Sequence, residues 1–264
     1  MPYPFRLGTT SYIIPDDILP NVRYLAGQVQ DIELVLFEVD DSSNNLPSAE
    51  VIAELIQLAD EHQLTYTVHL PLDLRLGADG DEQHVSLIKA RKVIDRTRAL
   101  KPWAYVMHLD GREVKADPAP EALTHWQTQS RRALELVADW AGGTDRLAVE
   151  NLETYPPDFV LPVIDRVPVG RCVDVGHLWL DGHDPVPYLR EALPRTRVIH
   201  LHGVAERDHQ SLAHLPAEKI DPVMDLLLRA RYRGVLTLEV FGEDDFYSSM
   251  DALTKSARSV WANA

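Results

Sequence analysis

The sequence has a single cysteine, Cys172, which excludes an internal disulfide and fits a reducing compartment. It lies inside an apolar run, so its simplest role is that of a small buried core residue. No stretch approaches the roughly 18 consecutive apolar residues that a membrane span needs. The opening "MPYPFRLGTTSY" lacks the basic segment followed by an apolar one that marks a secretory leader. A cytoplasmic protein with no membrane partner is therefore expected. Positive charge is also scarce: 26 Lys and Arg stand against 41 Asp and Glu, a formal charge of −15. Nucleic-acid binders draw much of their affinity from Lys and Arg on phosphates, so no nucleic-acid partner is expected. A single phosphate can still be handled if metal ions bring the positive charge. No glycine-rich dinucleotide or phosphate loop follows any apolar run, and no linker or low-complexity segment divides the chain.

What is present is a regular alternation. Short β-prone runs ("FRLGTT", "DIELVLFE", "LTYTVHL", "AYVMHL", "RLAVENL", "GRCVDV", "TRVIHLHG", "GVLTLEVF") are each followed by a helical segment. In "SAEVIAELIQLADEHQ", for example, Val51, Ile52, Leu55, Ile56 and Leu58 form a helical stripe. Continuous apolar runs suit strands covered on both faces, and an unbroken βα alternation implies a parallel sheet. Eight such units in 264 residues predict one domain over residues 1–264, a closed (β/α)8 TIM barrel. The strand-to-helix loops are long and polar ("EVDDSSNNLPS", "PLDLRLGADGDEQ", "DGREVKADPAPE", "HGVAERDHQSLAHLPAE"), whereas the return loops are short. In a barrel the long set lies at the C-terminal mouth, where active sites of this fold are built.

The strand ends carry a pattern. They read Glu38, His69, His108, Glu150 and Asp174 with His177 just beyond; then His200 and His202, with Asp208 and His209 in the next loop; and last Glu239. Singly, each is explained by a cap, a salt bridge or a hydrogen-bonded histidine. Together, so many carboxylates in one mouth would repel one another unless cations neutralised them. Mixed imidazole and carboxylate donors suit zinc, manganese or iron better than magnesium or calcium. His200 and His202 are two apart on a strand and so point the same way. The other histidines, His62, His84, His125, His183 and His214, fall on helices or outer loops and read as surface residues. The charges of "EVDDSSNN", which Glu38 opens, read as solvated.

On these residues the chain resembles the xylose-isomerase-like barrel superfamily, in particular its endonuclease IV branch. "TVHLP", "VMHLDG", "AVENL", "DVGH", "IHLHG" and "LTLEV" match its metal-binding motifs. The resemblance implies two or three divalent ions, zinc first, with His69, His108, Glu150, Asp174, His177, His200, His209 and Glu239 as ligands. Glu150 would bridge two ions, held by His69, His108 and Glu150 and by Glu150, Asp174, His200 and Glu239. His177 and His209 would serve a third. One loop departs from the pattern: "ERDHQSLAH" supplies His209 but has Arg207 where the family has an aspartate, with Asp208 adjacent.

The segment "GTTSYIIPDDILPNVRYLAGQVQDIELVLFE" is similar to the cobamide-remodelling phosphodiesterases of the same superfamily. That likeness implies hydrolysis of the nucleotide-loop phosphodiester of a cobamide, a small-molecule substrate. A metal-activated hydroxide would attack phosphorus, with Glu150, Glu239 and His177 closest to the chemistry. Tyr12, Arg207 and Trp179 are candidate substrate contacts, and Arg75 and Arg112 could also reach a phosphate. The alternative is a sugar isomerase or epimerase, in which Glu150 and Glu239 move protons around one ion. Such an enzyme has no need of His69 and His108 together.

Overall fold

A computed structural model describes residues 3–37, 39–40, 44–116 and 118–262. Its eight strands are β1 (Arg6–Thr10), β2 (Asp31–Val35), β3 (Thr65–His69), β4 (Tyr105–Met107), β5 (Leu147–Glu150), β6 (Gly170–Asp174), β7 (Thr196–Leu201) and β8 (Val235–Leu238). They pair in sequence order, all parallel, and β8 returns to β1 with Leu7 beside Leu236 and Thr9 beside Leu238. The molecule is the (β/α)8 barrel that the alternation predicts. Parallel neighbours need a crossover, and a helix supplies one after every strand.

Local chemistry explains the elements. The helix Ala49–His62 starts at Ser48, whose hydroxyl accepts a hydrogen bond from the Val51 N–H, and Ile52 and Leu55 bury its inner face. After β5 the connection carries only the four-residue helix Leu161–Ile164. Its segment "TYPPDFVLPV" holds three prolines, which cannot donate to a longer helix. Among the described residues no helix is long and apolar enough to cross a membrane.

Strand alternation sorts the interior into two compartments. Residues such as Ile32, Leu34, Val68, Met107, Val149, Val173 and Ile199 join the large core between sheet and helices. The opposite strand faces form a separate small cluster, Ala104, Val106, Ala148, Cys172, Val198 and Val235, inside the barrel. Cys172 is thus the buried core residue expected. The same faces continue toward the strand C-termini as polar side chains, which places Glu150, Cys172 and Asp174, or Val198, His200 and His202, on common inward rows. The N-terminal mouth has a different character. A cavity of about 940 Å³ there is lined by Thr196, Arg197 and Gly234 at strand starts. Its arginines brace the frame: Arg195 donates to the Ile164, Val167 and Val169 carbonyls, and Arg197 lies over the Trp103 ring at 5.0 Å.

Candidate metal centre

The strand-end histidines and carboxylates converge at the C-terminal mouth. Potential ligand atoms lie within 4.8 Å of one another in three groups: His69, His108 and Glu150; Glu150, Asp174, His200 and Glu239; and His177, His202 and His209. Cys172 also approaches Glu150 and His200 from below. All eight residues expected as ligands fall within these groups. Glu38 lies outside the described residues.

Glu150 occupies the junction. Its Oε2 is 3.1 Å from His108 Nε2 and 3.5 Å from His69 Nε2, while its Oε1 is 3.1 Å from His200 Nδ1. His200 Nδ1 also lies 3.1 Å from Glu239 Oε2 and 3.9 Å from Asp174 Oδ2. Asp174 divides its work in the same way. Its Oδ1 caps the helix Val175–Leu180 by accepting the His177 N–H at 2.7 Å, while Oδ2 is buried without a hydrogen-bond partner. Glu239 Oε2 is likewise buried and makes no hydrogen bond, although His200 Nδ1 and His209 Nδ1 lie 3.1 and 3.4 Å from it. Buried carboxylate oxygens left in this way cost free energy unless a cation or a donor meets them.

Each imidazole is braced on one nitrogen. His69 Nδ1 lies 2.9 Å from the Leu70 carbonyl, His108 Nδ1 is 3.1 Å from Asp73 Oδ1, and His177 Nδ1 is 3.1 Å from the Asn151 carbonyl. His200 Nε2 is 3.0 Å from Glu33 Oε2. An imidazole that donates one N–H to a carbonyl or carboxylate presents its other nitrogen as a lone pair, the usual arrangement around a bound metal. Asn151 also clasps the tops of β5 and β6, donating to the Asp174 carbonyl and accepting the Asp174 N–H. The donor set and the unpartnered oxygens fit divalent ions.

Titration behaviour follows from this crowding. Burial opposes charge on His108, yet the Glu150 and Asp73 carboxylates outweigh it and push its pKa up to about 10. Burial works against ionisation of Glu150, but His200 and His108 hold it well below the usual carboxylate range. Glu239 is lowered against its own burial by His200 and His209. Without ions, protons on imidazole supply the positive charge that the carboxylates require.

The sequence reading missed three contributors. Glu33 is fully buried in the middle of β2 and supports His200, whereas the strand-end reading had placed the acid of this strand at Glu38. Phe37 and Phe241, 47% and 40% exposed, turn ring edges toward His69 and His209 with centroids 5.6 and 5.7 Å apart. An aromatic residue just past the end of an apolar run was the available signal for both.

The expected substrate contacts are less concentrated. Tyr12 is half-buried, and its hydroxyl accepts from Asn45 Nδ2 at 2.6 Å. Trp179, expected as a substrate contact, is buried within the helix Val175–Leu180 and packs in the main core. Its remaining surface lines a lateral cavity beside His183 and Pro185. Arg207 is exposed, and its backbone N–H donates to Gln210 Oε1. Arg75 and Arg112 both pair with Asp110. His62, His125, His183 and His214 are exposed, and His84 caps the helix Val85–Thr97.

The family model for xylose isomerase-like TIM barrels matches residues 28–262. The chain belongs to this family. Among solved structures, this xylose isomerase-like barrel is similar to a D-tagatose 3-epimerase-like protein, at 17% identity and a TM-score of 0.77, over 98% of this chain and 99% of the other. It is similar to endonuclease IV from Thermus thermophilus at 17% identity and a TM-score of 0.67, over 98% and 100%. It also resembles the apo form of the 3-keto-D-glucoside 4-epimerase YcjR from E. coli, at 17% identity and 0.67, over 96% and 99%. No curated protein matches the sequence. Identities this low speak for the shared barrel, and the chemistry must be argued from the side chains.

Proposed function

We propose that this xylose isomerase-like barrel is a metal-dependent phosphodiesterase that hydrolyses the nucleotide-loop phosphodiester of cobamides. The observation that carries the reading is the division of Glu150, one oxygen toward the His69 and His108 imidazoles and the other toward His200. Two ligand groups joined by one carboxylate suit a pair of ions that act on the two sides of a transferring phosphoryl group. Divalent ions there, zinc first and manganese or iron as alternatives, would supply Lewis acidity toward a phosphoryl oxygen and an acidified water. Asp73 and Glu33 hold His108 and His200 in the orientation that leaves one nitrogen of each open. Glu239 stands beside His200 and His209, where it can take up a proton as the phosphodiester is cleaved. His177, braced by the Asn151 carbonyl, would act on the leaving-group side.

The substrate reading rests on the N-terminal likeness and on the half-exposed rings of Phe37 and Phe241 beside the two ends of the cluster. Such walls suit a large, partly apolar ligand better than a free sugar. Incubating the ion-loaded protein with an adenosylated cobamide should release a cobinamide phosphate and an α-ribazole nucleoside. Glu150→Gln should release neither while keeping its circular-dichroism spectrum. Intact cobamide together with two bound ions would reject the substrate and leave the centre standing.

A sugar epimerase is the second reading, because Glu150 and Glu239 flank His200 as two carboxylates around one ion position. It predicts one manganese or cobalt per chain and exchange of a sugar carbon-bound proton with solvent. Two or three zinc or iron ions without that exchange favour hydrolysis.

A further inference from the structure

We infer that His202 completes a third metal site, made of three neutral imidazoles from His177, His202 and His209, in place of a site that depends on a loop carboxylate. The inference rests on the metal-centre reading above and extends it to a separate ion.

The rings come from the helix Val175–Leu180, the residue immediately after β7 and the loop that follows it. Ring centroids are 5.6 Å apart for His177 and His202, 5.6 Å for His177 and His209, and 4.3 Å for His202 and His209. One ligand nitrogen from each lies within 4.8 Å of the others. His202 is fully buried; its Nε2 makes no hydrogen bond but lies 3.3 Å from Asp174 Oδ1, and His209 Nδ1, also without a hydrogen bond, lies 3.4 Å from Glu239 Oε2. Ring nitrogens that each face a carboxylate oxygen without a hydrogen bond call for positive charge between the groups, carried by a proton or by a cation. His202 Nδ1 lies 3.1 Å from the Gly203 carbonyl and 3.0 Å from the His209 N–H. In this arrangement Nδ1 accepts the His209 N–H, so opening Nε2 to an ion moves the ring proton to Nδ1, toward the Gly203 carbonyl, and frees that N–H.

The backbone makes room for this ring. A Cβ on Gly176 would lie 2.2 Å from His202 Cε1 and 2.3 Å from Nε2, so any side chain there would displace the imidazole. His209 is held with φ of 50°, a left-handed conformation uncommon for residues other than glycine, which turns its ring onto His202. The loop carboxylate is not part of the group: Asp208 Oδ2 lies beside His209 Nε2 at 3.6 Å, and Arg207 is exposed. Three imidazole ligands, with Asp174 and Glu239 beside them as counter-charge, suit a borderline d-block cation such as zinc, cobalt or iron, and disfavour magnesium and calcium.

The test is stoichiometry. Chelator-stripped full-length protein is titrated with cobalt(II), followed by visible absorption and by metal analysis after gel filtration. Three equivalents are expected, the third with an all-nitrogen signature. His202→Gln and Gly176→Ala should each bind two and lose that signature. His209→Gln, at a ring 23% exposed, is the variant with least effect on folding and should also bind two. Three equivalents persisting in His202→Gln, or only two in the unmodified protein, overturns the third site and leaves the paired centre intact. One or none in the unmodified protein overturns the paired centre and this inference with it.

Discussion

At the scale of single residues, Asp31 and Glu33 occupy alternate positions on β2 but have opposite consequences. Asp31 is fully buried, and burial raises its pKa to about 7 despite a hydrogen bond from the Thr65 hydroxyl. The folded state therefore holds this proton more tightly than the unfolded chain. Stability attributable to Asp31 is full below pH 3.8, falls as pH rises toward about 7, and is flat beyond. Asp31→Asn should melt higher than the unmodified protein at pH 8 and no higher at pH 4. At about 1.36 kcal/mol per pKa unit, the gain is on the order of 2–4 kcal/mol. Thermal denaturation at the two pH values measures it. Glu33 instead accepts from His200, so Glu33→Gln should weaken ion binding at the Glu150, Asp174, His200 and Glu239 group by roughly 10–100-fold. Competition against a chromogenic chelator reads that change, and unchanged affinity would remove Glu33 from the centre.

At the scale of elements, Asp174 joins a strand to a helix and a fold to a site. One oxygen caps Val175–Leu180 and the other is buried and unpartnered. The two roles can be separated, because asparagine caps as well as aspartate but carries no charge. Asp174→Asn should keep the cap but lose ion affinity and the charge facing His202 and His177, so the melting temperature of its ion-free form should fall less than that of Asp174→Ala. Asp174→Ala should lose the cap as well, with a stability cost of about 1 kcal/mol. Equal melting of the two variants would dismiss the cap.

The same element scale shows what the sequence could disclose. His69, Glu150, Asp174 and Glu239 each terminate an apolar run, so local pattern alone marks them. Glu33 sits inside "DIELVLFE", where one carboxylate among apolar neighbours has no boundary to announce it. Its role depends on closure of the barrel, which brings β2 across to β7. Trp179 misled for a related reason: "GHLWLDG" reads as loop, yet the cap at Asp174 starts a helix that turns the indole inward. From its two-residue spacing with His200, His202 could be read only as pointing the same way as that ring. Its neighbours His177 and His209 come from other elements, and only the tertiary structure assembles them.

At the scale of the whole molecule, protons and metal ions compete for the same mouth. His108 has its pKa pushed up to about 10 and His202 to about 9, in each case by carboxylates that outweigh burial. An ion must displace those protons, so affinity should rise with pH and level off only above about 9 to 10. The expected slope is up to about tenfold per pH unit for each proton released. Titration calorimetry in buffers of different ionisation enthalpy counts the protons; a count of zero at pH 7.5 would contradict the ion-free charge arrangement described above. Bound ions should also raise the melting temperature in proportion to the logarithm of their concentration.

Glu150 has one more consequence. Because its two oxygens serve different ligand groups, an ion that settles in one group orients the carboxylate for the other. Coupling of this kind is reciprocal: the factor by which the first ion alters the second's affinity equals the factor in reverse. Metal preference then belongs to the pair. Replacing the ion beside His69 and His108 changes which ion is retained beside Asp174 and Glu239, so the selectivity of either half is inherited from the occupant of its neighbour.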